Sequence, residues 1–280
     1  MKKLAFISRG CIFAGFLYSF LSISACGPSR PEAAGYISLS PAVTEIIYAI
    51  GVEEKLLART DFCNWPPEAL NKPIIGSFDA PSVELISSLN PEIVFSAGAP
   101  QALQTEKLKR LGFNIISISP HTIEELLESF TLIGEATGRT SQASLALISL
   151  EKKLEELSVL SSQNSPRIYA EISVDPMMAA GKKSYIDGII ELSGGINAAD
   201  LGKDYFVTGY EYLIKSSPDI ILLLEPQRGR EERLRHSLGP KGAGVKIVSV
   251  ENPDVYIRPG PRVYEAVGEL AAIISQYADE

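Results

Sequence analysis

Two blocks of the sequence alternate short apolar runs with stretches that have the pattern of helices. The runs of the first block are YISLS, LLART, PIIG, EIVFS and FNIISIS, and those of the second are RIYAEIS, DIILLL and KIVSV. This alternation is typical of parallel strands that are covered by helices on both faces. We therefore predict an α/β fold with mainly parallel sheets.

A long amphipathic stretch, SQASLALISLEKKLEELS, separates the two blocks. It is rich in good helix formers and has no strand pattern, so it predicts one continuous helix. The organisation we expect is two α/β lobes joined by this long rigid helix. The predicted boundaries are 36–138 for the N-terminal lobe, 139–162 for the connecting helix and 163–280 for the C-terminal lobe.

The N-terminus has the pattern of a secretory signal. Lys2, Lys3 and Arg9 precede the apolar run IFAGFLYSFLSI, which ends in small residues before Cys26. A charged start, a short apolar run and a small-residue cleavage site predict a signal peptide over residues 1–25. The ending ISAC resembles the bacterial lipoprotein box, which implies a lipid on Cys26, a tether over 26–35 and a location outside the cytoplasm at a membrane. The alternative is a plain secreted protein with an incidental cysteine.

The net charge and the number of cysteines limit which binding partners and which disulfides the chain can have. Without residues 1–25 the chain has 23 basic and 34 acidic residues, a net charge of −11. An acidic chain with no basic stripe is not expected to bind nucleic acid. Cys63 has no partner for an intramolecular disulfide once Cys11 is cleaved off and Cys26 is lipidated. We expect Cys63 to be a small, partly buried apolar residue. We also expect the protein to be a monomer.

The patterns of catalytic and metal sites are missing from the sequence. The two histidines, His121 and His236, cannot supply a three-histidine metal site, and neither lies near a cluster of acids at ligand spacing. There is no GxSxG nucleophile motif, AAGKKS lacks the first glycine of a phosphate loop, and no dinucleotide fingerprint follows YISLS. We predict that the protein is not an enzyme and needs no cofactor or metal of its own.

Aromatic residues accumulate in segments predicted as loops beside strands. They are Trp65 in DFCNWPPEA, Phe78 in GSFDAPS, Tyr205 and Phe206 in GKDYFVTG, and Tyr256 in ENPDVYIRPGPR. Ligands of open parallel sheets bind outside the carboxyl ends of the strands, where these loops meet. Each aromatic could simply anchor its own loop, but their number in both blocks predicts a shared ligand cleft.

The segment DVYIRPGPR adds charged groups to this set. Asp254 and Arg258 are predicted to hydrogen-bond polar groups of a ligand, beside the loop aromatics. Arg262 precedes the last helix and could anchor that helix instead. The alternative for all three side chains is a rigid turn whose charges pair with one another or face solvent.

One glutamate occurs twice in the same setting. Glu84 stands seven residues before Pro91, and Glu211 stands seven before Pro218; an acid and a buried-strand run follow each proline. An acid in the first turn of a helix complements the helix dipole, and Thr208 with Glu211 fits a capping box. Equal placement in both blocks favours a second explanation, docking to a partner.

Several segments together resemble the periplasmic substrate-binding proteins of ABC importers for vitamin B12 and iron chelates, and most closely the cobalamin-binding branch. They are SLSPAVTEIIYAIG, DFCNWPPEA, SVELISSLNPEIV, AAGKKSYIDGII, GYEYLIKSSPDIILL and RPGPRVYEAVGELA. The resemblance implies two lobes tied by a rigid helix with the ligand between them. It also implies that Glu84 and Glu211 dock onto arginines of the membrane permease.

The same resemblance implies a cargo site. Trp65, Phe78 and Tyr205 match aromatic positions that line the corrinoid pocket, and Asp254 and Arg258 match polar ones. The chain departs from the pattern at Ala97-Gly98 in one predicted loop and at Met177-Met178 in another, where further aromatics are common. Iron–siderophore and haem therefore stay open as cargoes. A secreted hydrolase on this scaffold and a binding lobe that serves a sensor are two more distant alternatives.

Overall fold

The computed structural model describes residues 34–158 and 165–278. The predicted signal peptide, Cys26 and all but the last two residues of the tether lie outside the described residues. The same is true of 159–162, the end of the predicted connecting helix.

The first block forms a four-stranded sheet whose strands are all parallel, in the order β2-β1-β3-β4. Its elements, in chain order, are β1 (Tyr36–Ser38), α1 (Pro41–Ile50), β2 (Leu56–Arg59), α2 (Val83–Leu89), β3 (Ile93–Ser96), α3 (Ala102–Arg110), β4 (Ile115–Ser117) and α4 (Ile123–Ala136). The strands are nearly continuous apolar runs because helices cover the sheet. This is the N-terminal lobe.

The second block forms a six-stranded sheet in the order β10-β9-β5-β6-β8, with β7 also paired to β5. Its elements are β5 (Arg167–Val174), β6 (Met177–Ala180), α6 (Tyr185–Leu192), β7 (Ile196–Asn197), β8 (Tyr205–Val207), α7 (Tyr210–Ser216), β9 (Ile220–Leu223), α8 (Arg230–Leu238), β10 (Lys246–Ser249), α9 (Asp254–Ile257) and α10 (Val263–Ala278). Strands β6 and β8 run antiparallel to their neighbours. The fold is therefore α/β with mainly parallel sheets, as predicted.

Helix α5, which spans Thr140–Ser158, connects the two lobes. Its buried residues, among them Leu150 and Leu154, belong to one apolar cluster that also takes in Ile46 of α1, Phe130 of α4 and Leu270 of α10. The cluster continues to the second sheet through α6. The lobes thus share an apolar interior in addition to the connecting helix.

Two local predictions are wrong. PIIG is not a strand; it forms two isolated bridges, from Ile74 to Arg59 and from Gly76 to Pro81. Pro73 has no N–H to donate and Gly76 has a φ of 125°, so the run does not extend into a regular ladder. Met177-Met178 begins strand β6 rather than a loop, and Met177 is buried in the apolar core of the C-terminal lobe.

None of the helices in residues 34–158 and 165–278 combines the length and the apolar character that a membrane crossing requires.

Candidate ligand site

A cavity of about 400 Å³ lies where the strands of the N-terminal lobe end, against the segment 254–259 of the C-terminal lobe. This is the carboxyl edge of a parallel sheet, the usual place for a ligand in such folds. The lining residues come from the loops after β1, β2, β3 and β4 and from α9. They are Ser40, Pro41, Ala42, Phe62, Phe78, Ala97, Pro100, Ile118, Ser119, Pro120, Asp254, Ile257, Arg258 and Pro259.

Two phenylalanines form the aromatic wall of this cleft cavity. The rings of Phe62 and Phe78 lie 5.9 Å apart between centroids, at an angle of 38°. The Asp61 carboxylate accepts hydrogen bonds from the backbone N–H groups of both residues, at 2.8 Å and 2.9 Å. One side chain therefore holds two loop segments in register, and the aromatic wall is preformed.

Gln101 ties the remaining loops of this edge together. Its side-chain amide nitrogen donates to the carbonyls of Leu39 and Phe78, both at 2.7 Å. Its amide oxygen accepts from the N–H of Ala97 at 2.9 Å. Gln101 is fully buried, so these bonds are shielded from water. Neither Phe62 nor Gln101 was predicted; Phe62 stands in the same DFCNWPPEA segment as Trp65.

The opposite wall carries an ion pair. Arg258 bonds to Asp254, one helical turn before it, at 2.9 Å, and donates to the side-chain oxygen of Asn64 at 2.7 Å. Asn64 belongs to the N-terminal lobe, so Arg258 connects the lobes at the cavity rim. The structure places Phe78, Asp254 and Arg258 on one cavity, and their contact with a ligand stays a prediction.

Two predicted ligand residues lie in the core instead, and this corrects the prediction. Phe206 is buried in the apolar cluster of the C-terminal lobe, where its ring packs edge-on against Tyr212 at 5.4 Å. Tyr256 is fully buried, and its hydroxyl bonds to Glu269 at 3.2 Å. The position of an aromatic in a loop-like sequence does not tell which way its side chain points.

Tyr205 lies beside Phe206 on β8, on the other face of the sheet, and is half-buried. Successive strand residues face opposite sides, which separates the two rings. Burial raises the pKa of the Tyr205 phenol to about 12, with the Asp204 carboxylate as the second cause. The phenol therefore stays protonated at neutral pH. Tyr205 does not line the cleft cavity, and its contact with cargo stays a prediction.

Trp65 lines a neighbouring groove rather than the cleft cavity. Its ring lies 4.6 Å from the guanidinium of Arg262. Arg262 in turn makes two bonds to Glu45 of α1, at 3.0 Å and 2.8 Å, and both side chains are buried. Burial raises the pKa of the Glu45 carboxyl, and the bonds from Arg262 oppose this shift. Arg262 thus anchors the start of α10, and a role for Trp65 in cargo binding stays a prediction.

The paired glutamates occupy equivalent, exposed positions. Glu84 and Glu211 lie in the first turns of α2 and α7, both seven-residue helices. Each helix ends at a left-handed residue, Asn90 with φ 44° or Ser217 with φ 46°, and leads into a parallel strand. Because such a helix starts at the edge where the strands end, both carboxylates lie on the cleft side of their sheets.

The helix starts themselves differ. On α2 the Ser82 hydroxyl accepts from Leu85 N–H and bonds to Glu84 at 3.1 Å. The pKa of the Glu84 carboxyl is lowered, first by its own backbone N–H and next by Ser82. The predicted capping box of Thr208 and Glu211 is wrong: the N-cap of α7 is Gly209, with no side-chain cap among the described residues.

Metal-binding chemistry is not visible in the described ranges, where no group of three or more His, Cys, Asp or Glu residues could hold an ion. His121 instead pairs with Asp204 at 3.5 Å, a contact between the two lobes. Cys63 is buried beside Thr60, and burial raises the pKa of its thiol. The thiol therefore serves as a small packed group.

Comparison with known proteins supports the class of this site. Residues 37–237 match the family model described as periplasmic binding protein. The vitamin B12-binding protein of Vibrio cholerae is 25% identical over 91% of this chain and 95% of its own. An uncharacterized ABC transporter substrate-binding lipoprotein of Bacillus subtilis is 25% identical over 88% of this chain and 81% of its own.

Solved structures show the same fold. The periplasmic vitamin B12-binding protein of Vibrio cholerae superimposes with a TM-score of 0.73 at 23% identity, over 89% of this chain and 99% of that chain. The apo form of a periplasmic haem-binding protein from Roseiflexus gives a TM-score of 0.71 at 24% identity, over 88% of this chain and 99% of that one. The family model and the relatives above are named for binding rather than catalysis, which confirms the expectation that the chain is not an enzyme.

Proposed function

The chain belongs to the periplasmic binding protein family, in the class that serves ABC importers for B12, haem and siderophores, and on that premise we propose its cargo and its route. The mature protein is a lipid-anchored monomer that binds a corrinoid in the cleft cavity. It delivers that corrinoid to the permease of an ABC importer. Members of this class bind a small-molecule ligand and an importer permease. The proposal identifies the ligand and the residues that bind the ligand and the permease.

The observation that carries the proposal is the composition of the cleft cavity. Phe62 and Phe78 offer flat apolar surface, while Asp254 and Arg258 offer one hydrogen-bonding edge. Mainly apolar walls with a few fixed polar groups are typical of sites for large, partly apolar ligands. A corrinoid is larger than the cavity, so the cavity takes one edge of it and leaves the rest toward the open side.

The lining also separates the candidate cargoes. Among the described residues that line the cavity there is no histidine, cysteine, methionine, tyrosine or lysine. Haem iron is commonly held by an axial His, Cys, Met or Tyr, so this cavity does not offer haem such a ligand. A corrinoid with both axial positions filled needs no ligand from the protein, and a ferric siderophore needs none either. The relatives named for vitamin B12 favour the corrinoid.

The anchor and the docking residues complete the proposal. Cys26 carries the lipid, which agrees with the name of the Bacillus subtilis relative. Glu84 and Glu211 contact arginines of the permease, one from each lobe. Their exposure and their matching positions at the cleft side of the two sheets support this role.

Calorimetric titration tests the cargo. The mature protein is expected to bind cyanocobalamin at micromolar protein concentration or below. Phe78→Ala is expected to weaken binding about thirtyfold, because aromatic anchors at binding hot spots contribute about 2 kcal/mol. Leu132→Ala, which removes an exposed apolar side chain of α4 outside the cavity, is the control and should bind as the wild type does.

Ferric siderophores and haemin belong in the same experiment as competing ligands. If a siderophore or haemin binds and cyanocobalamin does not, that ligand becomes the proposed cargo, and the cleft cavity remains the proposed site. An unchanged affinity in Phe78→Ala would instead show that the cargo lies elsewhere.

A further inference from the structure

The start of helix α1 opens into the cleft cavity. Ser40, the N-cap residue, and Pro41 and Ala42, the first two helical residues, all line it. Helix α1 is ten residues long and begins with Pro41. The ring of this proline fixes its φ angle near the helical value, which favours a regular first turn. The positive end of the helix dipole therefore faces the space in which cargo is proposed to bind.

The hydroxyl of Ser40 is left without a partner among the described residues. A serine at the N-cap ordinarily accepts a hydrogen bond from the second or third helical N–H. Here the Ser40 side chain makes no such bond, although the residue is only 4% exposed. Because Ser40 lines the cavity, its hydroxyl can donate to or accept from a ligand atom there.

The backbone around Ser40 is held in place. Its carbonyl accepts from the Ser38 hydroxyl at 2.9 Å, from the Thr44 hydroxyl at 3.1 Å and from the Thr44 N–H at 2.9 Å. Thr44 is thus the first residue whose N–H bonds within the helix. Pro41 has no N–H, which leaves those of Ala42 and Val43 without an acceptor in α1.

The charges of the cavity favour a negative group at this place. Of the described lining residues, Asp254 alone carries a carboxylate, and Arg258 neutralises it at 2.9 Å. The helix start and Ser40 contribute donors and no competing negative charge. Backbone N–H groups at a helix N-terminus together with a hydroxyl form a common site for an oxyanion.

We propose that the start of α1, with the Ser40 hydroxyl, binds an oxyanion of the cargo. The chemistry is that of a phosphodiester, as in the nucleotide loop of a corrinoid, or of a carboxylate, as in haem or a siderophore. The inference rests on the proposed function, since it assumes that the cleft cavity takes the cargo. It adds the part of the cargo that the N-terminal lobe recognises.

Two matched ligand pairs test the proposal: cobinamide phosphate against cobinamide, and haemin against its dimethyl ester. Within each pair only the anionic group differs. For the pair that binds, the anionic member is expected to bind at least tenfold more tightly to the wild type. The first pair identifies a phosphate as the source and the second a carboxylate.

Ser40→Asp supplies the decisive variant. An aspartate at the N-cap accepts the free N–H groups itself and places a negative charge where the oxyanion would lie. The advantage of the anionic ligand should therefore fall to about onefold, while Tm stays the same or rises. Thr122→Asp makes the same N-cap replacement at α4, outside the cavity lining, and should leave the advantage unchanged.

The outcomes are distinguishable. Equal binding of both members of a pair to the wild type, or an advantage that persists in Ser40→Asp, overturns the oxyanion site alone. If neither pair binds while cyanocobalamin does, the oxyanion site is overturned and the proposed function stands; if cyanocobalamin does not bind either, the proposed function fails as well. A tenfold advantage that Ser40→Asp removes without loss of Tm supports the oxyanion site, and it supports the corrinoid as cargo only when cobinamide phosphate shows that advantage.

Discussion

Replacing Arg262 with methionine is expected to lower the free energy of unfolding by about 3–5 kcal/mol. The variant leaves the Glu45 carboxylate buried without the two bonds that Arg262 donates to it. It also removes the guanidinium that lies over the ring of Trp65. Urea unfolding of the wild type and the variant measures the difference. The effect is large because a buried charge that has lost its partner keeps the cost of its desolvation.

Two further variants show that the loss comes from the unpaired charge. In Glu45→Leu/Arg262→Met both charges are absent, and most of the stability should return. Arg235→Met breaks an exposed pair with Glu231 at 2.8 Å and should cost no more than about 1 kcal/mol. A change below 1 kcal/mol in Arg262→Met would contradict the account of this pair.

The pair bears on function because of its position. Glu45 lies on α1, whose start lines the cleft cavity, and Arg262 follows the segment 254–259 that forms the other wall. Arg258 makes a second bond between the lobes, to Asn64. The two walls of the cavity are therefore fixed relative to each other by charged groups as well as by the shared apolar interior.

Reversing both docking glutamates, in Glu84→Arg/Glu211→Arg, is expected to abolish cargo uptake while cargo binding in solution is unchanged. Both side chains are exposed and lie outside the cleft cavity, so neither folding nor cargo affinity should depend on them. An arginine opposite the arginines proposed on the permease creates like-charge contacts, each of which costs several kcal/mol. Transport of labelled cyanocobalamin and calorimetry on the same proteins provide the two readouts.

A matched pair of substitutions controls for the change in net charge. Glu128→Arg/Glu232→Arg reverses one exposed glutamate in each lobe, on α4 and α8. Uptake should continue with this variant. Equal loss of uptake in both double variants would point to net charge rather than docking, and normal uptake in Glu84→Arg/Glu211→Arg would remove the docking role.

The strands of both sheets could be predicted where they are buried on both faces. EIVFS and DIILLL are continuous apolar runs with β-branched residues, and they form β3 and β9. Strands β6 and β8 could not be predicted in this way because they are short and antiparallel. The first, Met177–Ala180, has no β-branched residue, and its strand character comes from pairing with β5 and β8.

The candidate site could be predicted in part for a similar reason. Loop position relative to the strands located Phe78, Asp254 and Arg258, which the structure brings to one cavity. It did not distinguish Phe206 or Tyr256, whose side chains point into the core. Direction within a loop depends on tertiary packing, which a single sequence does not show.

Contacts between distant residues were beyond the sequence altogether. Glu45 and Arg262 are 217 positions apart; the sequence suggested that Arg262 could anchor the last helix, but not that Glu45 is its partner. Gln101 is fully buried and bonds to loop carbonyls, and its local sequence does not indicate these contacts either. Such residues become visible only when the folded chain shows which polar groups are enclosed together.

A crystal structure of the mature protein with bound cyanocobalamin tests the central claim most directly. The account predicts corrinoid density against Phe62 and Phe78, with a polar edge at Arg258, between the strand ends of the N-terminal lobe and the segment 254–259. Density that lies only in the groove beside Trp65 and Tyr264, with the cleft cavity unfilled, would contradict it.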